Sequence, residues 1–163
     1  MISDNITRFD YLLRVCVVVF AALSPFICLF FHGYEKSISS YWNTEMQPLF
    51  IIANSLTAYY LIGIPKWRLS ACLLLLTTAF SIEYYPMVHN IVAVGFFITS
   101  MYPLYKANNF TFCRWLYMIA LPLVPFSLLY AEMVAILVIC TFHLLVLNKV
   151  YSIQKERVEL SES

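Results

Sequence analysis

The chain has 163 residues, of which 62% are hydrophobic, 17% aromatic and 12% charged, with a formal net charge of +1. Soluble domains are about half apolar and a quarter charged, so this composition excludes an ordinary soluble globular protein. It also gives no support to nucleic-acid binding, and the length leaves no room for a folded soluble domain beside a membrane domain.

In chain order, six apolar segments read as membrane-spanning helices. The first covers residues 11–31. Pro25 in its outer half removes a backbone donor and favours a kink, and Arg14 in its first turn can snorkel to headgroups. The residues before it are mixed in charge and no small-x-small site follows it, so an uncleaved first helix is expected rather than a signal peptide. Residues 33–46, GYEKSISSYWNTEM, form a first outer loop. The second span is 48–63, closed by the tight inner turn IPKWR, and the third is 69–84, closed outside by EYYP. The fourth is 87–104, ending at Pro103 and Lys106, and KANNFTFCR follows as an inner loop. The fifth is 112–130, broken by Pro122 and Pro125, with Glu132 marking the outer turn before the sixth span at 133–151. From Asn148 the sequence turns polar, and residues 152–163 are expected to be a frayed cytoplasmic tail.

This division sorts the charges. Arg8, Arg14, Lys66, Arg68, Lys106, Arg114, Lys149, Lys155 and Arg157 fall on one side. The other side holds Lys36 with Glu35, Glu45, Glu83 and Glu132. Basic loops stay in the cytoplasm, so the reading is an all-α polytopic bundle in a cell membrane or endomembrane, one domain over 1–163, with both termini cytoplasmic. Tyr34, Tyr41, Trp42, Tyr84, Tyr85 and Tyr130 would line the outer interface, and Trp67, Trp115 and Tyr151 the inner one. Short loops make neighbouring helices antiparallel. With three glycines, no Gly-x-x-x-Gly and no internal repeat, glycine-mediated dimers and repeat-built transporters are disfavoured. The sequons at Asn5 and Asn109 lie on the basic side and should stay bare. Cys16, Cys28, Cys72, Cys113 and Cys140 read as small core hydrophobes without a disulfide framework.

Polar groups converge on the outer side: His32, Glu35, Ser37, Ser39, Trp42, Glu83, His89 and Asn90. Together they offer donors, acceptors and aromatic walls suited to a lipid headgroup or a small polar ligand; the competing reading is a set of separately wetted interfacial groups. His32, His89, Glu83 and Glu35 are zinc-ligand types, but no His-x-x-x-His or other ligand spacing unites them, so no metal or cofactor is expected. Ser37 or Ser39 with His89 and Glu83 would supply the types for acyl transfer. No Gly-x-Ser-x-Gly elbow accompanies them, and loop serines usually bond their own backbone, so no catalytic residue is assigned. The helix dipole at the start of span four favours neutral His89, while Glu83 would oppose that. Inside the spans, Asn54 is expected to bond a neighbouring helix. His143, about 16 Å beyond Glu132 at helical rise, should sit near mid-bilayer, where an ionisable group is a functional candidate unless it bonds a hydroxyl such as Ser55, Thr77 or Thr99.

Ser37-Ile38-Ser39, then Tyr41, Trp42, Thr44, Met46 and Leu49-Phe50, followed by a later helix with His89, Ala93 and Phe96-Phe97, resemble the DRAM-type superfamily, which includes GPI-remodelling membrane proteins and bacterial multi-pass relatives. The likeness covers roughly 37–105 and implies a five- or six-helix membrane fold without transferable catalytic residues. The ceramidase-like membrane hydrolases also combine serine with histidines, but their His-x-x-x-His helix has no counterpart around His143. The leading expectation is a non-enzymatic membrane protein whose outer pocket binds a lipid headgroup or a partner. The alternatives are a metal-assisted lipid hydrolase and a channel-forming or accessory subunit. Membrane lipids, a membrane-protein partner or a second copy of the chain are the partners these readings imply.

Overall fold

A computed structural model describes residues 7–162. The chain is all-α: α1 (Arg8–His32), a 3-10 turn (Ile38–Asn43), α2 (Gln47–Ile62), a 3-10 turn (Pro65–Trp67), α3 (Arg68–Ala79), α4 (Pro86–Lys106), a 3-10 turn (Asn108–Phe110), α5 (Thr111–Leu123) and α6 (Leu128–Glu162). Thr7 starts α1, its side chain accepting from Asp10 N–H, and Asp10 complements the positive helix end. Pro86 opens α4 at a position where a missing N–H costs nothing. Pro25 stays within a continuous α1.

Three helical stretches are long and apolar enough to cross a membrane: Arg8–His32, Pro86–Lys106 and Leu128–Leu160. The other segments fall short of the lengths expected for spans. α2, with 16 residues, reaches about 24 Å and α3, with 12, about 18 Å, against a hydrocarbon core of about 30 Å. α3 stops at Ala79 rather than running to 84. Ser81 takes the Glu83 N–H on its hydroxyl and the Tyr85 N–H on its carbonyl, competing with the helical ladder, and Pro86 holds Tyr85 out of the helical region.

The fifth segment ends at Leu123, not 130, because Pro125 cannot continue the ladder. Ser127 then restarts the chain, its carbonyl accepting from Ala131 N–H and its hydroxyl from Tyr130 N–H at 3.4 Å. Residues 128–130 therefore belong to α6. The frayed tail expected from Asn148 is instead helix as far as Glu162. Extending an existing helix needs no new nucleus, the residues are good helix formers, and Lys155 meets Glu159 at 3.7 Å.

Each helix packs on the next, α6 closes the ring against α1, and α6 also touches α4. Tyr11 stacks on Tyr151 and hydrogen-bonds Asn148, while Cys28 packs with Leu129 and Met133, so α1 and α6 run antiparallel. Ser70 bonds Thr99 and His89 bonds Phe80, which sets α4 antiparallel to α3. The core contains Leu61, Trp67, Leu74, Phe96, Tyr117 and Phe142. Phe30, Tyr59, Ile98, Phe112 and Phe126 stand exposed on the flanks, an outer surface suited to lipid.

The bundle thus has two ends. One, the loop end, carries 33–46, 80–85 and 124–127. The other, the terminal end, carries 63–67, 107–110, the start of α1 and the last turns of α6. All the described basic residues except Lys36 belong to the terminal end. All five cysteines are free; Cys28, Cys113 and Cys140 are buried as expected, whereas Cys16 and Cys72 are exposed on the flanks rather than in the core. The sequon asparagine Asn5 lies outside the described residues.

Candidate functional site

The loop after α1 is folded back and pinned. Gly33 leaves the helix at φ +100° and ψ −168°, a combination open essentially to glycine alone. Ser37 caps the 3-10 turn, its hydroxyl accepting from Ser40 N–H at 3.2 Å and meeting the Ser40 hydroxyl at 3.0 Å. Tyr41 is wholly buried and donates to Gly33 O at 2.7 Å; burial pushes its phenol up to about 12. Thr44 donates to Tyr41 O at 2.9 Å and accepts from Met46 N–H at 3.1 Å. Trp42 stands edge-on to Phe50 at the start of α2.

His32 is bracketed by carboxylates, with Nδ1 at 2.8 Å from Glu45 and Nε2 at 3.2 Å from Glu35. Both nitrogens can donate only in the imidazolium form. The same bond holds the Glu45 carboxyl below its ordinary value, helped by the Glu45 backbone. From α6, Glu132 reaches across and its Oε2 accepts from Ile38 N–H at 2.6 Å. The loop is therefore a lid clamped to α1, α2 and α6.

The residues singled out from the sequence divide into two groups. His32, Glu35, Ser37 and Trp42 share this lid, and Ser39 sits half-buried in it. Glu83 and Asn90 are exposed at the α3–α4 turn, while His89 is completely buried. Its Nδ1 lies 2.6 Å from Phe80 O, so it donates there, and its Nε2 is buried without a partner among the described residues. No ion pair, ring contact or hydrogen bond among the described residues joins the two groups. Ser37 pairs with Ser40 rather than with His89, and no cluster of three metal-ligating side chains occurs among the described residues.

The sequence places Glu132 at the outer turn, among the polar groups that open span six; in the fold it connects the lid to a groove. Between α4, α5 and α6 lies an open cavity of about 270 Å³ lined by Val94, Phe97, Ile98, Leu121, Val124, Ala131 and other apolar residues. Glu132 is its single charged lining residue and is only 8% exposed. The signal that could have placed it is Ser127: a serine cap before Leu128 puts Glu132 one turn inside a helix instead of between two.

Of the two polar residues expected inside spans, Asn54 makes no side-chain bond to a neighbouring helix among the described residues. It lines a cavity of about 40 Å³ with Ser24, Cys28, Thr57 and Cys140, large enough for a water. His143 does meet a hydroxyl, but that of Tyr60, at 3.2 Å. It does not sit midway down the bundle. Its ring lies 4.5 Å from that of Trp67 in the α2–α3 turn, level with the terminal end, because α6 begins at Leu128 and the bundle is short.

Comparison of the chain with protein-family models, with curated proteins and with solved structures finds no match.

Proposed function

We propose that this chain is a DRAM-like membrane protein of six membrane-embedded helices, with both termini in the cytoplasm, that binds a lipid at its loop end. One observation carries the reading: a buried carboxyl, Glu132, heads an otherwise apolar groove on the flank of the bundle. An acyl chain would lie along Val94, Phe97 and Leu121, with its polar head beside Glu132 and the lid. Apolar contact alone selects nothing in a bilayer, since lipid tails are as apolar as leucine. Preference must come from the carboxyl, which favours a headgroup offering hydroxyl or amine donors.

Native mass spectrometry of protein purified in mild detergent tests this. The expected result is one enriched headgroup class, lost in Val94→Trp, which fills the groove from its exposed rim. A lipid profile matching the bulk membrane and unchanged by Val94→Trp refutes it. Orientation is tested separately with tags: both termini should be protected from outside intact cells, and a cysteine placed at Ser39 should be labelled there.

A further inference from the structure

We infer that the terminal end of the bundle holds a second site, for a phosphate group, formed by Lys66, Lys106 and His143. A pocket of about 150 Å³ opens there, lined by Lys66, Trp67, Lys106, Phe142 and His143 among others. One water needs only about 10–15 Å³, so there is room for a tetrahedral oxyanion. The inference does not rest on the groove at the other end.

Three features converge on an anion. The two lysines come from different elements, the α2–α3 turn and the last residue of α4, yet stand on one rim. Neither forms an ion pair among the described residues; the Lys106 ammonium rests 6.0 Å from the Tyr102 ring, at the limit of useful attraction. His143 forms part of the wall and is only 3% exposed. With Nδ1 on the Tyr60 hydroxyl, its buried Nε2 lacks a partner among the described residues, and such a group is costly to leave unmatched. When Tyr60 donates to Nδ1, Nε2 carries the proton, and a shift of the pocket wall that uncovers this buried atom lets it donate to a phosphate oxygen.

Position favours the same ligand. Trp67 supplies no side-chain cap to α3, so the first amides of that helix add positive potential beside the pocket. The carbonyl end of α4 works against an anion, and Lys106 in that last turn offsets it. Phosphate chemistry could arrive as a lipid headgroup or as a free anion, and both meet the same three side chains.

The test uses the full chain in phosphatidylcholine nanodiscs, with Trp42→Phe and Trp115→Phe leaving Trp67 as the single tryptophan reporter. Inorganic phosphate and phosphatidic acid are titrated separately at matched ionic strength. A saturable change in Trp67 emission with either probe is expected: phosphatidic acid alone identifies a headgroup site, inorganic phosphate alone a soluble-anion site, and both a site for the bare phosphate group. Lys66→Gln with Lys106→Gln should weaken binding at least tenfold while leaving the ligand-free melting temperature unchanged, since both side chains are exposed. His143→Leu should weaken it as well. No response to either probe, or undiminished affinity in the double lysine variant, overturns the inference.

Discussion

Replacing Glu132 separates a clamp from a mere neighbour. In Glu132→Ala the Ile38 N–H loses the carboxyl that accepts it at 2.6 Å. Leaving a buried donor unpaired costs about 1–3 kcal/mol. At a midpoint of about 2 kcal/mol, and 1.4 kcal/mol per tenfold, lid opening should become about 30-fold more frequent. Glu132→Gln keeps a carbonyl acceptor of nearly the same reach. A neutral hydrogen bond still contributes about 0.5–1.5 kcal/mol, so opening should rise by well under tenfold. Hydrogen–deuterium exchange of residues 33–46 in nanodiscs reads the difference, with residues 107–110 at the opposite end as internal control. Equal lid exchange in wild type and Glu132→Ala would refute the clamp. Equal acceleration in the Ala and Gln variants would show that loss of the charge, not loss of the acceptor, opened the lid.

Gly33→Ala should destabilise the lid by about 1–3 kcal/mol, the cost of a glycine-only backbone region. No atom lies within 4 Å of the added Cβ, so a steric clash is not the cause; a melting temperature equal to wild type removes the reasoning. The Glu45 carboxyl is lowered from an ordinary 4.5 by its bond to His32, so its contribution to lid closure is present above pH 4.5 and is lost as pH falls through the lowered value. Lid exchange, corrected for its intrinsic rate, should rise as pH falls below about 4.5, and Glu45→Gln should abolish that acid limb. His89→Ala should lower stability by about 2–4 kcal/mol, because it combines a buried void with an unpaired Phe80 carbonyl. Normal expression and melting of that variant would point away from a structural role for His89.

The sequence shows the helical class and the segregation of charge because both are carried by long averages. Apolar runs and the placement of nine basic residues survive an error of several residues in any boundary. The boundaries themselves depend on single side chains whose local competition is hard to weigh in advance. Ser81 and Pro86 shorten α3, while Ser127 donates residues 128–130 to α6. The earlier start of α6 also explains why His143 packs with Trp67 rather than midway down the bundle: the helix begins five residues before the expected 133, at Leu128, which moves everything after it by about 7.5 Å along the axis.

The candidate site was less legible because residue types do not announce their partners. His32, Glu35, Glu45, Ser37 and Ser40 have the chemistry of a ligand site, but in the fold they satisfy one another. A carboxylate already paired with an imidazolium gains little from a ligand that must first displace it, since the ligand's bond replaces an equal one. Availability is therefore what remains after internal pairing. By that measure the lid residues are holders. The groups with capacity left that also line one of these cavities are Glu132, which keeps an oxygen beyond the one on Ile38, and His143, whose Nε2 has no partner among the described residues; the Nε2 of His89 is equally unpaired but lines neither cavity. Glu132 lies near the start of α6 and His143 near its middle, and each lines a cavity. A ligand at either place would add a hydrogen bond without breaking one, so these two positions on one helix are the places to look for binding.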